Sequence, residues 1–130
     1  VAPSRGLGDV YKRQELFDKM EASPATASNP ADYIDAHSLE YRELMYYGQY
    51  SLNYIFHKFM EGEQKGLRGQ LMKILLDDLA PEAKLRLYAE TGQEYFDEWA
   101  KGAVEVLEQH DMEWIKENQP AMWIYLQMVE

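Results

Sequence analysis

The stretch Leu67-Arg68-Gly69-Gln70-Leu71-Met72-Lys73-Ile74-Leu75-Leu76-Asp77-Asp78-Leu79 constrains the fold more than any other. At 100° per residue, Leu67, Leu71, Ile74 and Leu75 fall on one stripe. Leu79, Met72 and Leu76 carry the apolar surface past half the helix circumference. An ordinary surface helix has a narrower stripe and a polar back. A helix this broadly apolar needs neighbours on at least two sides, so the stretch predicts the central helix of a small helical domain. No run alternates apolar and polar residues, and Asn-Gly and Asp-Gly hairpin turns do not occur. The expected fold is all-α: a compact bundle of about five to six helices around a central helical hairpin.

Local signals bound the other elements. Asn29-Pro30 starts a helix, because asparagine caps free amides and proline at the first helical position lacks the amide that would go unpaired. Asp32 suits the positive end of that helix. Ser38 or Asp35 caps the next helical turn, which runs to Tyr47 and stops at Gly48. Gln49 to Glu61 carries Leu52, Ile55, Phe56, Phe59 and Met60 at amphipathic spacing, and Gly62 closes it. The short loop from Gly62 to Gly66 makes this helix and the central one an antiparallel hairpin.

Pro81 ends the central helix, and Glu82 to Glu90 reads as a short helix or irregular bridge. Thr91-Gly92-Gln93-Glu94 is a capping box opening a helix to Gln109. One face of that helix holds Tyr95, Phe96, Trp99, Ala103, Val106 and Leu107. Asp111 caps a turn through Trp114 and Ile115. Asn118 or Gln119 with Pro120 then begins a last helix, whose Met122, Trp123, Ile124, Tyr125, Leu126, Met128 and Val129 leave almost no polar side; burial within the fold is expected, docking on a partner being the alternative.

The first fourteen residues differ from all that follows. Val1 to Gln14 has neither helical nor strand periodicity and is basic, and Asp9-Val10-Tyr11-Lys12-Arg13-Gln14 resembles a translated sequencing adapter. The segment is expected to be non-native, although a natural disordered tail would read the same way. Glu15 to Glu21 is a short amphipathic fragment, and Ala22 to Ser28 is a linker of small residues. Residues 15–28 are thus expected to be a remnant of an upstream segment, with a single domain over 29–130.

Composition excludes several functions. A net charge of −10 opposes electrostatic binding to nucleic acid or to an anionic membrane surface. The value becomes −12 without the first fourteen residues, which hold three basic side chains against Asp9. No apolar run approaches the length of a membrane span. The absence of cysteine removes disulfides, thiolate metal sites and thiol nucleophiles. Ten tyrosines, four phenylalanines and three tryptophans exceed what a core this size needs, so some should serve recognition at the surface.

No residue pattern specifies catalysis, a metal or a cofactor. Glu94, Asp97 and Glu98 share a helix face, but it lies opposite the aromatic stripe and reads as solvated. His37, His57 and His110 are scattered, and His110 falls near a helix C-terminus where a cation is favoured. Gly66-Leu67-Arg68-Gly69 is neither a phosphate loop nor a dinucleotide fingerprint. Asp78 falls in the middle of the central apolar stripe, where an unpaired carboxylate is costly. It is expected to face outward as the helix ends or to cap the Pro81 turn; the alternative is a functional acid paired with a histidine and nearby tyrosines. The best recognition candidates are Tyr50, Tyr54, His57 and Glu61, on the side of their helix opposite Leu52, Ile55, Phe56 and Phe59. Cover by the preceding helix, with Tyr41, Leu44 and Met45, is the competing expectation. Trp123 is a further candidate contact.

Two resemblances follow from short motifs. Tyr47-Gly48-Gln49-Tyr50-Ser51-Leu52-Asn53-Tyr54-Ile55 followed by Gly66-Leu67-Arg68 resembles a HEAT-type helical pair, although Asn53 stands where such helices often carry proline. Ser28-Asn29-Pro30, Asp32-Tyr33, Gly66-Leu67-Arg68 and Thr91-Gly92-Gln93-Glu94-Tyr95-Phe96 resemble an uncharacterised domain of Firmicute lipoproteins and of the extracytoplasmic tails of antirepressor-type membrane metallopeptidases. This resemblance covers roughly Ser28 to Lys101. It implies an extracytoplasmic location and brings no catalytic residues. The reading that results is a non-catalytic bacterial interaction module, the C-terminal part of a longer protein, that binds a protein or cell-surface ligand. A self-associating structural domain, joined as a weak homodimer through the Pro120–Glu130 helix, and a small enzyme or hydrolase accessory using Asp78 are the alternatives.

Overall fold

The computed structural model describes residues 2–22, 29–83 and 89–129, with side chains from Tyr11 onward. Among these residues the chain forms α1 (Ala2–Glu21), α2 (Pro30–Ala36), α3 (Ser38–Tyr47), α4 (Gln49–Glu61), α5 (Leu67–Leu79), a 3-10 turn at Pro81–Ala83, α6 (Gly92–Gln109), α7 (Met112–Asn118) and α8 (Pro120–Met128). The architecture is all-α, and no described residue lies in a strand. No described helix is long and apolar enough to cross a membrane.

Local chemistry sets most of the boundaries. The Asn29 side chain accepts from the Ala31 amide at 3.0 Å, with Pro30 in the first turn of α2. Gly48 at φ 54° and Gly62 at φ 92° supply the left-handed backbone that ends α3 and α4. Asp111 accepts from the Trp114 amide at 2.9 Å to open α7. Two expected caps differ. The residue preceding α3 is His37, which makes no side-chain capping bond, so neither Ser38 nor Asp35 caps it. Thr91 accepts from the Glu94 amide at 3.1 Å, but the Glu94 carboxylate accepts from Glu90, one residue earlier than a reciprocal capping box requires.

α5 is the central helix, packed against α1, α2, α3, α4 and α6. Its buried face is rotated from the expected stripe. Leu71, Met72, Leu75 and Leu76 are fully enclosed, whereas Leu67, Ile74 and Leu79 lie at the margins. α1 supplies the missing neighbour: Leu16, Phe17 and Met20 enter the same core. The segment 15–21 is therefore part of the bundle, and the expected separation from the domain beginning at Asn29 is corrected by this burial. Residues 23–28 of the expected linker, and 84–88 of the expected bridge, lie outside the described residues.

The second half of the core is an aromatic cluster joining α4, α6 and α8. Phe59 and Phe96 stack at 4.8 Å and 7°. Phe56 stacks on Trp99 at 5.3 Å. Tyr125 closes the cluster edge-on, 5.5 Å from Phe56 and 5.8 Å from Trp99. Such offset and edge contacts add about 0.5–1.5 kcal/mol per pair beyond the area they bury. α8 is only partly enclosed: Ala121, Met122, Tyr125 and Leu126 are buried, Trp123, Ile124 and Met128 are half-buried, and Val129 is exposed. Met60 and Leu107, expected on buried stripes, are also exposed.

Loop and helix N-terminus are joined where α6 begins. The Gln93 amide donates to the Gln64 carbonyl at 3.1 Å, and the Gln64 amide donates to Gln93 Oε1 at 3.0 Å. Gln93 Nε2 donates to the Phe59 carbonyl at 2.9 Å, so one glutamine ties α6 to both the end of α4 and the α4–α5 loop.

Candidate functional site

Spacing on α4 decides which side chains share a face. With Leu52, Ile55, Phe56 and Phe59 turned to the core, Tyr50, Asn53, Tyr54, His57 and Glu61 fall on the opposite side. These five residues, with Lys58 and with Arg13 and Gln14 of α1, line a cleft of about 380 Å³ between α1 and α4. The recognition residues expected from sequence are thus brought together, apart from Trp123.

Their exposures differ from expectation. Tyr50 is 50 % exposed, and His57 and Glu61 are exposed. Tyr54 is buried, and the helix covering it is α1, not α3. Its ring stacks on Phe17 at 5.7 Å and 16°, and Lys58 Nζ lies 5.9 Å from the ring centroid. Lys58 also reaches Glu61 at 3.8 Å, one turn along the rim. Tyr54 is therefore the floor of the cleft, while Tyr50, His57 and Glu61 form its accessible wall.

Arg68 holds that floor. Reaching from the first turn of α5, it donates to Glu21, to Asp18 at 2.5 Å and to the Tyr54 hydroxyl at 3.2 Å. Its guanidinium lies 5.3 Å from the Phe17 ring centroid. Burial alone would lower the Arg68 guanidinium, but the hydrogen bond and charge of Glu21, then Asp18, leave it raised. Burial pushes the Tyr54 phenol up, with the Arg68 charge opposing. The fork of a guanidinium can serve three partners at fixed angles, which a lysine cannot.

Asp78 lies on the exposed side of α5, as expected, and accepts from the Tyr41 hydroxyl rather than capping the Pro81 turn. The Tyr41 phenol is pushed far above its ordinary value, first by burial and then by the hydrogen bond to Asp78. The more enclosed carboxylate is its neighbour Asp77, which accepts from the Tyr95 hydroxyl and pairs with Lys73 at 4.0 Å. Lys73 Nζ in turn sits 4.9 Å from the Tyr95 ring centroid. His37 Nδ1 lies 3.0 Å from the Tyr33 carbonyl, and His110 stacks on Trp114 at 3.5 Å and 9°. Among the described residues no three His, Asp or Glu side chains converge as metal ligands would. Glu94, Asp97 and Glu98 are exposed.

Trp123 belongs to a second cleft, of about 490 Å³, between α7 and α8. Lys116 Nζ caps its ring at 4.8 Å from the centroid, with Met112, Glu113 and Glu117 alongside. Arg68, Asp77 and Arg13 were not singled out by sequence. Each acts through partners on another helix, and the only signal was a lone arginine opening an apolar helix. No family model matches the chain, and neither a curated protein nor a solved structure matches it.

Proposed function

We propose that this chain is a non-catalytic helical interaction module of a bacterial protein, which binds a protein or cell-surface ligand through the α4 side of the α1–α4 cleft. The observation that carries this reading is the pairing of an accessible wall, Tyr50, His57 and Glu61, with a floor fixed by Arg68, Phe17 and Tyr54. An amphipathic aromatic with hydrogen-bonding neighbours on a rigid helix is the usual make-up of a contact surface. The resemblance to extracytoplasmic Firmicute domains supports a ligand at the cell surface.

The test is a panel of immobilised peptides and cell-wall glycan fragments probed with the intact chain and with a His57→Ala, Glu61→Ala variant. Retained ligands should bind the variant at least about tenfold more weakly, with an unchanged melting temperature, as expected for contact residues. A panel without ligands, or ligands that bind both proteins equally, would overturn the reading.

A second reading, a weak homodimer through α8, is favoured by the half-buried Trp123, Ile124 and Met128 beside exposed Val129. Sedimentation across a concentration series separates the two: a monomer at all concentrations removes the dimer.

A further inference from the structure

Two tyrosines form a slot at the junction of α3 and α4. Tyr47 ends α3 and Tyr50 lies in the first turn of α4, with Gly48 turning the chain between them at φ 54°. The Tyr47 hydroxyl donates to Glu43 Oε2 at 3.1 Å, which fixes the ring and sets a carboxylate beside it. The Arg13 guanidinium carbon lies 5.7 Å from the Tyr47 centroid and 5.9 Å from the Tyr50 centroid, and the residue is only 3 % exposed. The adjacent Lys12 reaches Glu43 at 3.7 Å.

We propose that this slot is a receptor for basic side chains, that its partner is a basic peptide segment presenting a lysine next to an arginine, and that Lys12-Arg13 fills it in cis. The proposal rests on the interaction-module reading and specifies the chemistry of its partner. A planar, weakly hydrated guanidinium is the cation that aromatic faces hold best, and Glu43 supplies the opposite charge for the neighbouring lysine. Charge complementarity at longer range points the same way, because a chain of net charge −10 attracts basic peptides and repels acidic ones. The guanidinium that α1 places against both rings marks the class of group the slot accepts.

The experiment uses the full chain with Lys12→Ala and Arg13→Ala, checked for native circular dichroism, and follows the ring protons of Tyr47 and Tyr50 by NMR. The probes are acetyl-Gly-Lys-Arg-Gly-amide and the same peptide with both basic residues replaced by glutamine. The basic peptide should shift both rings and bind at least about tenfold more tightly than it binds the unaltered chain, whose tethered segment competes at an effective concentration on the order of millimolar. The glutamine peptide should not shift them, and Tyr50→Leu should abolish the response. If the double variant does not fold, Arg13→Gln keeps the buried stem while removing the charge, and the same titration is read in it. Rings of these variants that do not move at about 10 mM basic peptide, above the roughly millimolar effective concentration of the native segment in the unaltered chain, or that move equally for both peptides, overturn the proposal. Failure here with a panel ligand still lost on His57→Ala, Glu61→Ala would remove the basic partner and leave the module reading standing.

Discussion

The carbonyl oxygen of Gly69 occupies the place where a side chain on Gly92 would begin: a Cβ on Gly92 would lie 2.0 Å from it. α5 and the start of α6 therefore touch backbone to backbone, and the Gln64–Gln93 hydrogen bonds close the same crossing. Backbone cannot swing aside as a flexible side chain can. Gly92→Ala should cost about 3 kcal/mol, the upper end of the range for overpacking, and lower the melting temperature by roughly 10 °C. Gly102→Ala is the control, since nothing lies within 4 Å of its added Cβ, and a helix-interior alanine should hold or raise stability. Equal melting temperatures for the two variants would show that the crossing is looser than described.

The Arg68 hub gives a second prediction. Arg68→Ala removes the partner of Glu21, Asp18 and Tyr54 together. A loss of roughly 2 kcal/mol is expected for hydrogen bonds to charged groups, and amide exchange should rise at Leu16 to Met20 before it rises in α5. Arg68→Lys should recover less than half, because a point charge cannot serve three acceptors at fixed angles. Uniform exchange across the protein would mean that α1 is not held locally by this residue.

The aromatic cluster separates two phenotypes on one helix. Phe56, fully enclosed against Trp99, Phe96 and Tyr125, should cost about 3–5 kcal/mol when truncated to alanine. Met60, 43 % exposed one turn away, should stay within about 0.5 kcal/mol. Urea titration of both variants checks the difference.

The same helices divide into features that local sequence sets and features that only packing sets. α4 and α5 begin and end, and α6 begins, where glycine, proline and the Thr91 cap place them, because those signals act on the neighbouring backbone alone. The face of α5 was misjudged by part of a turn. Periodicity gives the width of an apolar surface, but the helices that pack on α5, α1 among them, decide which part is deepest. Of α1 only Glu15 to Glu21 showed, as a short amphipathic fragment, because Leu16, Phe17 and Met20 are too few to separate a docked helix from a fragment. Residues 2–14, expected to lack helical order, continue the same helix. On α4 the shared face of Tyr50, Tyr54, His57 and Glu61 followed from spacing, whereas the burial of Tyr54 under Phe17 depended on a contact 37 residues away in the chain. Gly69 and Gly92 looked like two unrelated small residues, since a close crossing leaves no local mark.

Alkaline pH should weaken the fold through Tyr41. Its phenol is held above the ordinary value in the folded chain, so the proton is bound more tightly there than in the unfolded chain. The stabilisation is complete below about pH 10 and declines as pH rises beyond it. Tyr54 and Tyr125 are raised too, chiefly by burial, and act in the same direction. In Tyr41→Phe the fall of stability above pH 10 should be shallower than in the parent by up to about 1.4 kcal/mol per pH unit, the contribution of one proton. Parallel curves for the two proteins would remove Tyr41 from the account.

The three indoles sit in three unlike settings. Trp99 is sealed against Phe56, Trp114 lies face to face with the His110 imidazole, and Trp123 rests beneath the Lys116 ammonium. The molecule thus carries its own set of optical reporters. Emission from Trp99 should sit at the blue end and mark the integrity of the interior, while Trp114, stacked on His110, should change in intensity when that corner opens. One fluorescence spectrum, resolved by wavelength and by iodide accessibility, can distinguish melting of the whole from fraying of its α7–α8 edge.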